Sequence, residues 1–162
     1  MTFKRKRILF AQIAIAAFFA LALTSSLFAQ STRYAQISNM QDTTSETPVP
    51  ISGLTISLPA ATTLRGALIT LNMPNLFLEG ISKGGTKGGN IFLFVDNVQV
   101  AEGQFSDDNT VPPGDGRKPM AIVVKVPLGT HPQTVEARWD AVRNSICFTD
   151  TFASLSAILT TN

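Results

Sequence analysis

From Ile51 the chain alternates apolar and polar positions: Leu54, Ile56 and Leu58 are separated by Thr55 and Ser57. A period of two turns one face of a strand toward a core. Ala67, Ile69, Leu71 and Met73 repeat the pattern, and Pro74, which cannot donate to a ladder, is expected to stop that strand. Ile91 to Val95 is apolar at every position and is followed by Asp96-Asn97 and a second β-rich run, Val98 to Glu102. Both connector residues tolerate the positive φ of a tight turn, so the segment predicts a hairpin. Its first arm, apolar on both faces, is expected in the interior. One face would lie under the opposite sheet, and the other under Leu76-Phe77-Leu78 with Ile81 or under a neighbouring subunit.

Further strands are expected at Met120 to Val126, Thr134 to Asp140, around Ser145 to Phe148, and at Leu155 to Leu159. In the second of these, Val135, Ala137 and Trp139 alternate with Glu136, Arg138 and Asp140, the pattern of an antiparallel strand with one wet face. Turn-forming clusters at Lys83 to Asn90 and Val111 to Gly116 separate the runs, and no helix-length periodic segment follows Ala29. Short strands punctuated in this way predict an all-β fold, an antiparallel β-sandwich of jelly-roll-like form.

The N-terminus reads differently. Lys4, Arg5, Lys6 and Arg7 precede the apolar run Ile8 to Leu23, and a small residue, Ala29, follows shortly after. A cationic start before an apolar stretch and a small-residue boundary is the pattern of a signal peptide helix, with cleavage expected after Ala29. The alternative is an uncleaved anchor, since Ile8 to Ala29 is 22 residues long and a bilayer needs about 20. Gln12 and Thr24-Ser25-Ser26 interrupt that reading. Residues 30–50, rich in Ser, Thr, Gln and Asn and closed by Pro48 and Pro50, are expected as a flexible tether with one short strand. The organisation expected is therefore a signal peptide over 1–29, a tether over 30–50 and the sandwich over 51–162.

Composition changes the picture at two points. The isoelectric point near 8.9 belongs to the whole chain. Four of the 13 basic residues lie in the leader, whereas none of the 11 acidic ones precedes Asp42, so the remainder is net acidic by two. Nucleic acid, which needs clustered Lys and Arg on the folded surface, is not expected as a partner. Cys147 is the only cysteine. An exported product therefore has no internal disulfide and must be held by its core. Flanked by Ile146 and Phe148, Cys147 itself reads as a small buried hydrophobe rather than a reactive thiol.

Leu128-Gly129-Thr130-His131, then Val135 to Trp139, then Ser154 to Leu159 resemble the C-terminal half of exported or phage-associated bacterial proteins with a C1q/TNF-like jelly roll. The strand and hairpin of Ile91 to Val98 are similar to a hairpin of that family. The resemblance runs over Leu64 to Leu159 and implies binding or structural work without catalysis. The family's usual assembly is a trimer. This chain departs from the family in having no Gly-X-Y tract and a single Tyr.

No residue set in the sequence assembles known chemistry. The glycines from Lys83 to Asn90 lack the phosphate-loop spacing, because Lys87 is followed by Gly88-Gly89 and a strand rather than by Ser or Thr and a helix. Asp107-Asp108-Asn109 and Asp115 offer oxygens without the spacing of a calcium loop, and read as solvated turns. His131 is the only imidazole, so any Ser-His-acid triad would have to use it. One His and one Cys cannot make a zinc site. Glu136 and Asp140 lie about 13 Å apart along an extended strand, too far for a pair of glycosidase carboxylates, with Arg138 between them as a cross-strand ion-pair partner.

Catalytic, cofactor-binding and metal-binding residues are accordingly expected to be none, and the cofactor none. The reading is an exported non-catalytic binding or structural module at the cell envelope or outside the cell. The alternative is a secreted carbohydrate-active enzyme or carbohydrate-binding module, against which the scarcity of aromatic residues counts. The expected partners are copies of the same chain, a trimer in preference, and an unidentified protein or glycan. Contact with a membrane is expected only through an uncleaved leader.

Overall fold

The computed structural model describes residues 32–61, 65–80, 87–107 and 117–161. The leader and its cleavage point lie outside them, as do Asp108, Asn109 and Asp115. Among the described residues ten strands form: β1 (Thr32–Gln36), β2 (Gln41–Thr43), β3 (Val49–Leu58), β4 (Arg65–Gly80), β5 (Lys87–Val95), β6 (Val98–Asp107), β7 (Lys118–Pro127), β8 (Gln133–Val142), β9 (Ser145–Thr149) and β10 (Ser154–Thr161). All pairings are antiparallel. One sheet runs β1-β10-β4-β9-β2 with β7 on the other side of β4; the second runs β3-β8-β5-β6. The fold is the expected antiparallel sandwich of jelly-roll form, and no described residue is helical.

The alternation that predicts the strands also builds the core. Ala67, Ile69, Leu71 and Met73 of β4 are fully buried, facing Leu54, Ile56 and Leu58 of β3, Ile91, Leu93 and Val95 of β5, and Val135, Ala137 and Trp139 of β8 within one cluster. Asp96 and Asn97 adopt φ of 49° and 65°, the left-handed pair a two-residue hairpin requires. A second such hairpin joins β8 to β9 through Arg143 and Asn144, φ 59° and 58°. The sequence marks the first clearly and the second poorly, because Arg carries no preference for that region.

Three expectations are corrected. Residues 32–43 are not a tether: β1 pairs with β10 from Thr32 opposite Ile158 to Gln36 opposite Ser154, and β2 pairs with Cys147 to Thr149 of β9. Few apolar side chains recommend this segment. It is held by ladder bonds to otherwise open strands and by Ile37, 3% exposed, whose N–H donates to Ala153 O at 3.0 Å.

Pro74 does not end its strand either. β4 leaves β10 after Asn72 and takes up β9 from Leu76, while its register with β7 shifts between Met73 and Leu76. Pro74 sits in that irregularity, where no ladder bond needs its missing N–H.

Finally, the outward face of β5 is not covered by Leu76 to Leu78. Leu76 and Leu78 are core residues, Phe77 stacks on Phe148 at 4.7 Å, and Ile81 lies outside the described residues. Phe92, opposite Arg138 and Glu102, is nonetheless 6% exposed. The Arg138 guanidinium lies over the Phe94 ring, 4.3 Å from its centroid, so a long side chain of the same sheet shields part of that face.

Candidate functional site

The two outer faces of the sandwich differ in charge. On the β3-β8-β5-β6 sheet, Glu136, Arg138 and Asp140 of β8 stand beside Phe94, Phe92 and Asn90 of β5, and Glu102 of β6 lies beyond Phe92. The groups are tied to one another. Arg138 Nε donates to Glu136 Oε2 at 2.5 Å and Nη2 to Asn97 Oδ1 at 2.5 Å. The Asp96 carboxylate accepts from Thr134 N at 2.8 Å, latching the hairpin tip to β8. The ion-pair partner of Arg138 thus lies on its own strand, two residues earlier, and the cross-strand contacts expected of it go to Asn97 and Phe94.

Asp140 departs from the wet-face pattern as well. It is 6% exposed and accepts from Asn90 Nδ2 at 2.8 Å. Burial pushes its carboxyl above the ordinary value of 3.8; the bonds from Asn90 pull it back, and nearby Glu102 adds to the rise. A folded-state value above the unfolded one means the native state binds this proton more tightly, so stability falls as pH rises through the window above 3.8. Asp140→Asn keeps an oxygen for Asn90 and removes the charge. The variant is expected to be more stable than the parent at neutral pH, with the advantage shrinking toward zero below pH 3.8. Urea titrations at both ends of that range check this; an equal loss of stability at both would refute it.

Cys147 sits behind Asp140, fully buried, with Sγ donating to Asp140 O at 3.4 Å and Gly88 O at 3.6 Å. Burial, then the Asp140 charge, push the thiol up to about 12. It is a protonated packing group at neutral pH, as the apolar neighbours predict. His131 is exposed in the β7–β8 connection, and no described serine or carboxylate is hydrogen-bonded to it. Lys87 to Asn90, expected in a loop, belong to β5.

The outer face of the other sheet is charge-poor over β1, β10, β4 and β7, while exposed Glu79 and Asp42 stand opposite Ile146 and Phe148 of β9. Its central row reads Tyr34, Ser156, Thr70, Val123 across β1, β10, β4 and β7; the next reads Thr32, Ile158, Leu68, Lys125. A third reads Gln36, Ser154, Asn72, Ala121. One lysine is the only charged residue among these twelve. Tyr34 is 60% exposed, Val123 58%, Ile158 40% and Leu68 36%. Each faces outward because its neighbours in sequence, such as Leu155 and Ala157, or Ala67 and Ile69, already fill the core. Large apolar side chains are thus gathered on one face, separated by small hydroxyl residues. The sequence reading missed it because on β4, β7 and β10 apolar residues occupy both faces, and only the register tells which of them lack cover.

Comparison with known proteins adds the family. No curated protein matches the sequence. Among solved structures, the chain is similar to Eiger TNF from S. frugiperda (8% identity, 82% of this chain and 93% of that one, TM-score 0.47). It is similar to dimeric latent PorU from Porphyromonas gingivalis (12% identity, 84% and 14%, TM-score 0.41). A family 35 carbohydrate binding module from an environmental isolate is a further neighbour (15% identity, 80% and 93%, TM-score 0.37). The resemblance to C1q/TNF-like jelly rolls stands. The family described as Bc2l-C, N-terminal domain matches residues 32–158, from the start of β1 into β10, and the chain belongs to that family.

Proposed function

We propose that the chain is an exported, non-catalytic binding module of lectin-like kind that works as a closed homo-oligomer, with a trimer as the expected form. The observation that carries the assembly is the charge-poor face holding Tyr34, Leu68, Val123 and Ile158. Depletion of charge at the centre of a patch is the compositional signature of an interface core, and the opposite sheet, ringed by Glu136, Arg138 and Glu102, lacks it. Identical chains that cover one another through such a face close into a ring. Family membership supports the binding role. Export rests on the cationic start and apolar run of the leader.

A lysine introduced at the centre of the face tests the assembly. Val123→Lys and Leu68→Lys alter exposed positions and leave the core untouched, so each is expected to keep the melting profile of an isolated fold while shifting the native mass down to one chain. A variant that stays assembled would move the interface elsewhere.

A further inference from the structure

Where β5 begins, the β3-β8-β5-β6 sheet holds a hollow of about 380 Å³ whose lining includes Lys87, Gly88 and Asn90 of β5, Gln104 and Ser106 of β6, and Arg143 of the β8–β9 turn. We propose that this hollow is a binding site for a phosphate group, with Lys87 and Arg143 supplying the charge. The proposal goes beyond the reading of the chain as an assembling module, since the hollow belongs to the sheet opposite the charge-poor face.

The hollow follows from the alternation of the strands. Ile91 and Leu93 fill the core, so Gly88 and Asn90 belong to the outer face. Ladder register sets Ser106, Gly88 and Val142 in one row, and Gln104, Asn90 and Asp140 in the next. Gly88 presents no side chain at the middle of the first row, and a Cβ there would lie 2.7 Å from Val142 Cγ2. The result is a depression floored by backbone and walled by two amides and a hydroxyl residue.

The charge around it is uncommitted. Among the described residues, neither the Lys87 ammonium nor the Arg143 guanidinium has a hydrogen-bond or ion-pair partner. Lys118 Nζ donates to Ser106 O, which brings a third cation to the same group of residues. No described carboxylate lines the hollow. The acids of the neighbouring rows are engaged: Asp140, 6% exposed, accepts from Asn90 Nδ2 at 2.8 Å, and Glu102 accepts from Gln99 and Gln104 at 3.1 and 3.3 Å. Arg143 also has φ 59°, a conformation that favours Asn or Gly. The fold thus keeps a guanidinium at a turn where a neutral residue would suit the backbone better.

This chemistry selects the ligand. Two cations without partners match a dianion, whereas a single carboxylate would leave one of them unmatched. With a second pKa near 6, a phosphate group carries about −1.5 to −2 near neutral pH. A guanidinium meets two of its oxygens as a fork and an ammonium meets one as a point charge. The amides favour phosphate over sulfate. Asn90 Nδ2 is given to Asp140 and Gln104 Nε2 to Glu102, so the carbonyl oxygens of both side chains are left to accept. A phosphate oxygen that keeps its proton can donate to them, and fully ionised sulfate cannot. Unlike a phosphate loop, the site draws its charge from side chains, so the spacing of the glycines does not reveal it.

Calorimetric titration of the intact chain with inorganic phosphate, sulfate and acetate at fixed ionic strength tests the site. Phosphate is expected to bind saturably, sulfate about tenfold more weakly and acetate not at all. Lys87→Gln and Arg143→Asn are each expected to weaken phosphate binding about tenfold. Asn suits the left-handed turn, so Arg143→Asn should melt no lower than the parent, which separates lost binding from a lost fold. Phosphate binding that survives both substitutions, equal affinity for sulfate, or no saturable binding overturns the proposal. Glycerol phosphate in solution, and phosphatidylcholine vesicles with and without phosphatidic acid, distinguish the sources. Capture by the acidic vesicles that both substitutions abolish identifies a lipid headgroup, and binding of the soluble ester alone identifies a free one. Vesicle capture indifferent to both substitutions overturns the site. Both variants are expected to keep the native mass of the parent, so loss of the phosphate site and loss of the assembly are distinguishable.

Discussion

Trp139→Ala is expected to cost roughly 3 to 5 kcal/mol, the range for deleting a large aromatic from a packed interior. Trp139 is 2% exposed and heads the fully buried side chains by volume. It lies between Val49 of β3 and Ile91 of β5, at the centre of the sheet opposite β4. With no disulfide in the described fold, a loss of that size is a large part of the 5 to 15 kcal/mol that separates folded from unfolded domains. Guanidinium titration of parent and variant measures it. Emission of the parent at the wavelength of a water-exposed indole would contradict the placement, as would a variant of unchanged midpoint.

The second large effect is expected at Gly89, within the segment that sequence reading treats as a loop. A Cβ added there would lie 2.4 Å from Cys147 Sγ and 2.8 Å from two atoms of the Phe105 ring. Both neighbours are buried, at 0% and 6%. Gly89→Ala is therefore expected to destabilise by about 1 to 3 kcal/mol through overpacking. At Gly129 the nearest atom to such a Cβ is 3.5 Å away, so Gly129→Ala is the control, expected near neutral. Adding Cys147→Ala to Gly89→Ala removes the closest clash and should return part of the loss, a coupling that neighbours in contact show and distant sites do not. Strict additivity of the two substitutions would refute the packing account.

These two positions also mark what could be read from the chain. Trp139 is legible because a strand with one wet face declares its inward residues by alternation, and the same rule locates the cores of β3 and β4. Gly89 is not, because close approach of a backbone to a cysteine 58 positions later leaves no trace in local composition. β1 and β2 were hidden for a related reason. Their side chains are mostly polar and exposed, and the ladder bonds that hold them depend on where β10 and β9 end up. Pro74 misled because a proline forbids a ladder bond only where the partner strand continues, and here the partner changes.

The candidate surfaces divide in the same way. The inertness of Cys147 follows from its neighbours in sequence. The proposed association face does not, since Leu68, Val123, Ile158 and Tyr34 come from four strands and meet only through register. On the β5 sheet Arg138 and its bonded neighbours lie over Phe94 and beside Phe92, whereas Tyr34, Leu68, Val123 and Ile158 of the opposite sheet stand exposed. Charge patterning, rather than hydrophobicity alone, distinguishes the two faces.

The native mass of the purified product tests the central claim most directly, because it reads the proposed self-association and leader removal together. Sedimentation of the purified product at micromolar concentration is expected to give a single species with the mass of three chains running from Gln30 to Asn162. A single species at the mass of one chain would contradict the account.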